Sequence, residues 1–313
     1  MAMNEIEILK ATPHLAREHW WGWEIPVYLF LGGLAAGIMI LTSVRVLRDP
    51  EGERSETFRL LSWLAPLVLS IGMFALWLDL ERRWDVPRFY LAFRPKAPMS
   101  WGAWILLAVY PLVALFALGE LRGRWRDRLA PRLRAVADWA DAPAIKRRLA
   151  WGNAAVGTLL GIYTGVLLSA MSARPLWSSA VLGPLFLTSG GSTAAALMLL
   201  FRVDERERRG LSKLDLGLIC MEVALLGLFF LNLMTGSDTS QRAGGLLLGG
   251  PYTASFFGLV VFGGLAVPLF GEAREMRGHN GSRWFLPLLI LIGGLALRWI
   301  LVAAGQASSW NAL

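Results

Sequence analysis

The sequence predicts an all-α membrane protein that crosses the bilayer eight times. Eight apolar stretches of about twenty residues are separated by short polar loops, and about twenty helical residues cross a hydrocarbon core of about 30 Å. The chain is 55% hydrophobic and only 17% charged, whereas a soluble chain of 313 residues would carry far more surface charge. We therefore predict one integral membrane domain over residues 1–313, with spans at 24–47, 60–80, 101–121, 151–171, 180–201, 214–235, 251–270 and 283–304.

The distribution of basic residues predicts the orientation of the chain. Of the 31 lysines and arginines, 21 lie in the first, third, fifth and seventh connections, and nine lie in the remaining connections and the N-terminal segment. Cytoplasmic loops are enriched in Lys and Arg, so this asymmetry predicts a bacterial inner-membrane protein with both termini in the periplasm. We interpret the net charge of +8 as a topology signal and an attraction for anionic membrane lipid, not as a nucleic-acid surface.

Two segments outside the spans carry their own predictions. The loop 122–150 contains nine basic residues and is expected to hold an amphipathic helix on the cytoplasmic face. The first twenty residues include Glu5, Glu7 and Glu18 and have no apolar region, so no cleavable signal peptide is expected.

The residues that the chain lacks restrict its chemistry. His14, His19 and His279 all lie outside the spans, so we expect no haem held by histidines of the membrane helices. Cys220 is the only cysteine, so we expect neither a disulfide nor an iron–sulfur cluster in this chain, and no metal site is predicted. Glycine pairs recur inside the spans, where they are expected to allow close helix packing, in LGGLAAG (31–37), FGGLAVP (262–268) and IGGLALR (292–298).

Polar side chains within or beside the spans are the candidate functional residues, because burying them in lipid is costly. With the predicted topology, most of them gather in the outer half of the membrane. This group contains Glu24, Tyr28, Asp79, Tyr163, Arg174, Trp177 and Arg298, and Glu222 lies nearer the middle of the sixth span. Such a cluster suits an amphiphilic ligand with a polar head near the outer surface and an apolar tail in the lipid, and a quinone has that shape.

Four segments closely resemble the polysulfide reductase membrane subunit family, also called NrfD-like. They are WWGWEIPVYLFLGGLAAG (20–37), PKAPMSWGAWIL (95–106), SARPLWSSAVLGPLFLTSG (172–190) and LRWILVAAGQ (297–306). The resemblance implies two four-helix bundles and a quinone-reactive subunit that holds no haem. It also implies a four-cluster, ferredoxin-like iron–sulfur subunit and a molybdopterin catalytic subunit as partners on the periplasmic side.

The resemblance further implies roles for individual residues. A tyrosine eleven residues before the arginine of RPLW contributes to the family's quinone pocket, and that spacing gives Tyr163. The first-helix position five residues before Gly33 is a histidine in the family and Tyr28 here. An acidic residue follows the LW pair of the second helix, which gives Asp79. Phenols and protonated carboxyl groups can donate hydrogen bonds to quinone carbonyl oxygens, and both kinds of group can carry protons.

We therefore predict the quinone-site subunit of an oxidoreductase complex, which exchanges electrons between menaquinone or ubiquinone and an iron–sulfur partner. Tyr163, Asp79 and Glu222 are the candidates for proton transfer. Tyr28, Tyr163, Glu24, Arg174, Trp177 and Arg298 are the candidates for the pocket. Two alternatives stay open: a proton-coupled transporter or channel without redox chemistry, and a structural anchor for a periplasmic enzyme. The terminal substrate, the direction of electron flow and proton pumping are not predicted.

Overall fold

The computed structural model describes residues 21–49, 55–91, 94, 97–171, 173–201, 205–277 and 284–308. His14, His19, His279 and residue 283, where the last span was predicted to begin, lie outside these described residues. The expectation about a signal peptide also falls on residues outside them.

Eight helices are long and apolar enough to span a membrane, as predicted, and the described residues contain no strand. They are α1 (Glu24–Arg48), α2 (Thr57–Asp79), α3 (Pro98–Glu120), α4 (Pro143–Ser169), α5 (Leu182–Leu200), α6 (Glu205–Thr235), α7 (Thr253–Met276) and α8 (Phe285–Ala307). Two of them begin well before the predicted apolar span. Proline opens α4 and acidic residues occupy the first turn of α6, so both helices start favourably in the polar region and continue into the apolar one.

Two of the membrane helices depart from regular α geometry. The helical pattern of α2 breaks at Ser62 and Trp63, between Glu56–Leu61 and Leu64–Asp79. The middle of α7, Phe256–Ala266, is a π-helix of 11 residues. Because π-helices are rare and widen the helix locally, this segment displaces the side chains that α7 presents to its neighbours.

The packing agrees with two four-helix bundles that are joined through their central helices. In the first, α1 packs against α2 and α4, and α3 packs against α4. In the second, α5 packs against α6 and α8, and α7 packs against α6 and α8. Extensive contact between α1 and α5 joins the two bundles.

The glycine pairs lie at close helix crossings, as predicted. A Cβ atom on Gly190 of α5 would collide with the backbone of Gly33 in α1, and one on Gly293 of α8 would collide with Gly264 of α7. These crossings therefore require residues without a side chain, which is the usual way for membrane helices to approach closely.

The loop between α3 and α4 contains the predicted additional helix, Pro131–Asp141, preceded by a short helix at Gly123–Asp127. Asp141 forms a bidentate ion pair with Arg122, with both distances 2.5 Å, and Lys146 lies 3.3 Å from the same carboxylate. Burial alone would raise the pKa of the Asp141 carboxyl, but the hydrogen bond from Arg122 and the charge of Lys146 hold that pKa below its usual value. The ion pairs thus fix this helix to the ends of α3 and α4.

Candidate functional site

A cavity suited to a small apolar ligand lies inside the first bundle, at the end opposite the basic loops. Its volume is about 480 Å³, and its surface is mostly apolar. The first turns of α1 and α3 and the last turns of α2 and α4 form its walls. The lining residues are Trp21, Ile25, Tyr28, Ser70, Met73, Phe74, Leu76, Trp77, Asp79, Leu80, Val86, Tyr90, Met99, Gly102, Ala103, Leu106, Tyr163 and Leu167.

Both predicted tyrosines line this cavity, although they come from different helices. Tyr28 of α1 and Tyr163 of α4 are buried, and the hydroxyl of Tyr163 lies against Gly102 of α3. A Cβ atom at position 102 would overlap the phenol, so the glycine is what gives Tyr163 room to point into the cavity. The phenols offer hydrogen-bond donors within an otherwise apolar space.

Asp79 ends α2 at the mouth of the same cavity, where it is half-buried. Asp79 and Arg83, which follows the end of α2, do not form an ion pair. Arg83 instead donates to the carbonyl oxygen of Leu78 at 2.8 Å and lies over the ring of Trp77. Among the described residues Asp79 forms no ion pair, which leaves its carboxyl facing the cavity and the solvent. Glu24 is half-buried in the first turn of α1, outside the cavity lining.

Arg174 and Trp177 lie behind the cavity rather than on its surface. Trp177 stacks on Trp21, with 5.3 Å between ring centroids, and donates from its indole nitrogen to the carbonyl oxygen of Leu301 at 2.8 Å. Arg174 donates to the backbone carbonyl of Gln306, and burial lowers the pKa of its guanidinium. Both residues therefore connect the loop before α5 to the end of α8. Trp177 supports the cavity wall through its stacking on Trp21.

Arg298 is fully buried in the second bundle and does not reach the cavity. Its guanidinium donates to the hydroxyl oxygen of Ser189 at 2.5 Å, to the carbonyl oxygen of Phe186 at 3.1 Å and to that of Gly294 at 3.0 Å. It also lies 5.0 Å from the centre of the Phe186 ring. These contacts join α8 to α5 at the level of Gly33 in α1.

Glu222 is buried beside Ser189, the residue that accepts a hydrogen bond from Arg298. The π-helix of α7 contributes Gly264 to the same small space, and α8 contributes Gly293. Glu222 is therefore one hydroxyl group away from a buried guanidinium.

Sequence reasoning missed several further buried carboxyl groups, of which two lie beside each other in the second bundle. Asp215 of α6 accepts a hydrogen bond of 2.6 Å from Ser192 of α5, and Glu272 of α7 lies beside it. Asp215 precedes Glu222 by seven residues, so both lie on one face of α6, about 10 Å apart along the helix axis. The seven-residue spacing of these two acidic residues is the signal in the sequence that could have identified Asp215 as a partner of Glu222 on the same helix face.

Sequence reasoning also missed Tyr90, in the short helix Val86–Leu91 that covers the cavity mouth. Burial raises the pKa of its phenol, and the nearby Tyr110 raises it further. Ser70 adds a fourth hydroxyl to the lining, after Tyr28, Tyr90 and Tyr163, and its oxygen lies 3.3 Å from the hydroxyl oxygen of Tyr110. The cavity mouth thus combines aromatic surface with several hydroxyl groups.

The fold and the cavity define the class of protein. It is a helical, multi-pass membrane protein with a ligand-sized apolar cavity that opens at one membrane face. A family model described as "Polysulphide reductase, NrfD" matches residues 12–308. The protein therefore belongs to the NrfD family of polysulfide reductase membrane subunits, as its sequence segments predicted.

Similar proteins match nearly the full length of the sequence. The polysulfide reductase C subunit of Wolinella succinogenes is 32% identical, over 91% of this chain and 94% of the relative. Protein NrfD of Escherichia coli is 28% identical, over 91% of this chain and 95% of the relative. A NrfD homolog of Haemophilus influenzae is 27% identical, over 94% and 96%. The similarity to these membrane proteins thus extends along almost their whole length.

Proposed function

We propose that this protein is the quinone-reactive membrane subunit of a multi-subunit respiratory oxidoreductase. The observation that carries the proposal is the cavity of about 480 Å³, in which tyrosine hydroxyls and a carboxyl group meet an apolar surface. A quinone ring with its carbonyl oxygens requires hydrogen-bond donors at one end, and its isoprenoid tail requires an apolar exit. The cavity between α1, α2, α3 and α4 offers both.

Interconversion of quinone and quinol moves two electrons and two protons. The residues of this protein bind the quinone and transfer the protons. The hydroxyl of Tyr163 or Tyr28 donates a hydrogen bond to a quinone carbonyl oxygen and orients the ring. Asp79, at the cavity mouth, accepts a proton from the quinol or returns one to the quinone and exchanges it with solvent. Menaquinone and ubiquinone both fit this chemistry.

The electrons pass between the quinone and a partner subunit that holds the redox centres. The relative in Wolinella succinogenes is named as one lettered polypeptide of a polysulfide reductase, which implies that the enzyme has others. We propose a four-cluster iron–sulfur subunit that docks at the cavity end, and behind it a molybdopterin catalytic subunit. On the positive-inside argument this end faces the periplasm.

The buried carboxyl groups of the second bundle support a route for protons from the opposite face. Glu272 and Asp215 lie toward the basic end of the bundle, and Glu222 and Arg298 follow deeper in the membrane. Neighbouring carboxyl groups hold and pass protons, and hydroxyl groups such as Ser189 bridge them. Arg298 ends this series against α1 at Gly33, five residues from Tyr28.

The direct test of the quinone site is Tyr163→Phe in the assembled complex. The change removes one hydroxyl group and leaves the ring, so assembly should be unchanged. Loss of one hydrogen bond costs about 0.5–1.5 kcal/mol, and more where a proton is transferred. We expect quinone turnover to fall about threefold to tenfold or more, measured with a soluble quinol analogue on the purified complex.

Tyr252→Phe is the matched control, because Tyr252 packs against the second bundle and does not line the cavity. It should keep wild-type turnover. Normal quinone kinetics in an assembled Tyr163→Phe complex would remove Tyr163 from the site and would favour the structural-anchor function.

The orientation has its own test. Reporter domains fused after the C-terminus and within the loop 122–150 should report opposite compartments, with the C-terminal fusion periplasmic. A cytoplasmic C-terminus would place the cavity on the other face and would move the proposed partner with it.

The row of buried carboxyl groups also favours a second candidate, proton-coupled transport without redox chemistry. The two functions differ in what the isolated protein does. Proton flux through liposomes that contain this protein alone, with no quinone and no partner, would favour the transporter.

A further inference from the structure

A second cleft opens at the opposite face of the molecule, where the basic loops lie. Its volume is about 580 Å³. The second half of α1 forms one wall and the first half of α6 forms the other, while α4 and α5 provide the floor with Thr158, Leu187 and Gly191. The cleft therefore follows the seam between the two bundles and shares no lining residue with the first cavity.

The cleft has the depth of one membrane leaflet. Along α1 it extends from Arg48 to Gly37, which is about 16 Å, and along α6 from Arg206 to Leu218, which is about 18 Å. Half of a hydrocarbon core is about 15 Å. The cleft thus begins at the polar surface and ends near the middle of the bilayer, as an acyl chain of one leaflet does.

The residues at the mouth of the cleft carry a net positive charge, with three arginines against the carboxylates of Asp49 and Glu207. Arg45 is paired with Asp49 at 3.4 Å, and Glu207 accepts a hydrogen bond of 2.7 Å from the hydroxyl group of Ser55. Arg48 and Arg206 line the same mouth, and neither forms an ion pair with any residue in the described part of the protein. Both guanidinium groups are therefore placed to meet an anionic group at the mouth.

The interior of the cleft is apolar. Ile40, Leu41, Leu214 and Leu218 face it, and its deep polar groups are the hydroxyls of Thr158 and Thr188. Below the mouth, the lining residues that the structure describes include no tyrosine, histidine or carboxyl group. The first cavity, in contrast, is lined by three tyrosines and by Asp79, which can donate hydrogen bonds and carry protons. An apolar groove beneath two arginines matches a negatively charged head with a hydrocarbon tail.

We propose that this cleft binds one anionic glycerophospholipid of the leaflet on the basic side. Its phosphate lies between Arg48 and Arg206, and an acyl chain fills the seam between α1 and α6. Arginine binds phosphate with paired hydrogen bonds, and this leaflet is the one in which anionic lipid and basic residues attract each other. The bound lipid completes the contact between the two bundles on this side of α5.

The test uses the whole complex, exchanged into nanodiscs of phosphatidylcholine with or without phosphatidylglycerol and analysed by native mass spectrometry. The wild type should retain one phosphatidylglycerol through delipidation and should not retain phosphatidylcholine. The double variant Arg48→Gln and Arg206→Gln should lose this lipid, with retention falling roughly fivefold for each arginine. Arg147→Gln with Arg148→Gln is the charge-matched control on the same face, outside the cleft, and should retain it.

A second variant tests the cleft itself without changing charge. Gly210 lines the cleft, and a Cβ atom added there would meet open space, so Gly210→Leu fits the fold and obstructs the groove. Gly217→Leu, on the same helix and equally unobstructed, lies outside the cleft and is the control. Loss of the lipid in Gly210→Leu alone supports the site. Equal retention in both glycine variants, or retention of phosphatidylcholine equal to that of phosphatidylglycerol, overturns it.

Discussion

The two bundles bury their polar groups in opposite ways. In the first bundle, Tyr28, Tyr163 and Asp79 face a cavity large enough for a ligand. In the second, the terminal nitrogens of Arg298 donate to acceptors of the protein itself, and Asp215 is bonded to Ser192. Groups that face a cavity keep hydrogen-bonding capacity for a ligand, whereas groups bonded to other parts of the protein hold helices together or pass protons along fixed contacts.

This difference explains why polarity alone does not identify a site in a membrane protein. Arg298 and Tyr163 lie at similar depth, and both are candidates by the rule that intramembrane polar groups are functional. Only the packing separates them, because one points between α8 and α5 and the other into a space between α3 and α4.

The largest effect is expected where the buried group forms several hydrogen bonds to the protein itself. Arg298→Met keeps much of the length of the side chain but leaves the acceptors on Ser189, Phe186 and Gly294 without their donor. The change removes three hydrogen bonds from a charged donor, each worth roughly 1.5–3 kcal/mol, so the complex should lose stability by several kcal/mol. The measurement is the yield and thermal midpoint of the complex in detergent.

Arg132→Met, on the exposed face of the helix Pro131–Asp141, is the control and should have little effect. Arg298→Lys, which keeps a donor, should fall between the two. A wild-type midpoint for Arg298→Met would mean that the second bundle does not depend on this group, and the contrast between the bundles would fail.

A change in the first bundle should affect turnover rather than stability. Gly102→Ala places a methyl group where the hydroxyl of Tyr163 lies, so the phenol must rotate away from its position in the cavity. We expect quinone turnover to fall about tenfold, which corresponds to about 1.4 kcal/mol in the barrier, while the yield of complex is kept. Steady-state rates and the thermal midpoint are measured on the same preparation.

Gly152→Ala serves as the matched control, because a Cβ atom there makes only an ordinary contact with Leu112. It should be neutral or slightly stabilising, since alanine favours a helix more than glycine does. Unchanged turnover in Gly102→Ala would show that the position of the Tyr163 phenol is not critical for quinone turnover. The main reason to assign the quinone site to this cavity would then be lost.

Much of the fold was predictable from the sequence, because hydropathy and length are local properties. The eight spans follow from them, but the starts of α4 and α6 do not, because both helices continue into the polar region beyond the apolar run. The depth of each polar residue was equally accessible. Tyr28, Asp79 and Tyr163 were placed near one face, and the structure brings them to one cavity.

The direction in which a side chain points was not predictable in the same way. Arg174 and Trp177 lie at the expected depth, yet they contact α8 because the loop before α5 folds over the end of that helix. Asp215 and Glu272 lie close to the ends of the predicted spans, where an acidic residue is expected to meet water. They are buried because α6 and α7 pack together there, a tertiary fact that no local pattern contains.

The smallest effect on turnover, and the most specific one, is expected from Glu222→Gln. Glutamine keeps the size of the side chain and a hydrogen bond to its surroundings but cannot ionise, so it separates a proton relay from a packing contact. If Glu222 passes protons toward the cavity, quinone turnover should stay near wild type while charge movement across the membrane is lost. Electron transfer and proton uptake are measured together in liposomes that contain the whole complex.

Glu205→Gln, at the exposed start of the same helix, is the control and should change neither quantity. Unchanged turnover with unchanged proton stoichiometry in Glu222→Gln would make this carboxyl group a helix-to-helix contact, like the acceptors around Arg298. The contrast between the bundles would then become complete, with ligand chemistry confined to the first and packing alone in the second. Loss of charge movement would instead show that the second bundle conducts protons although it is tightly packed. Proton transfer needs only a chain of adjacent groups and not an open cavity.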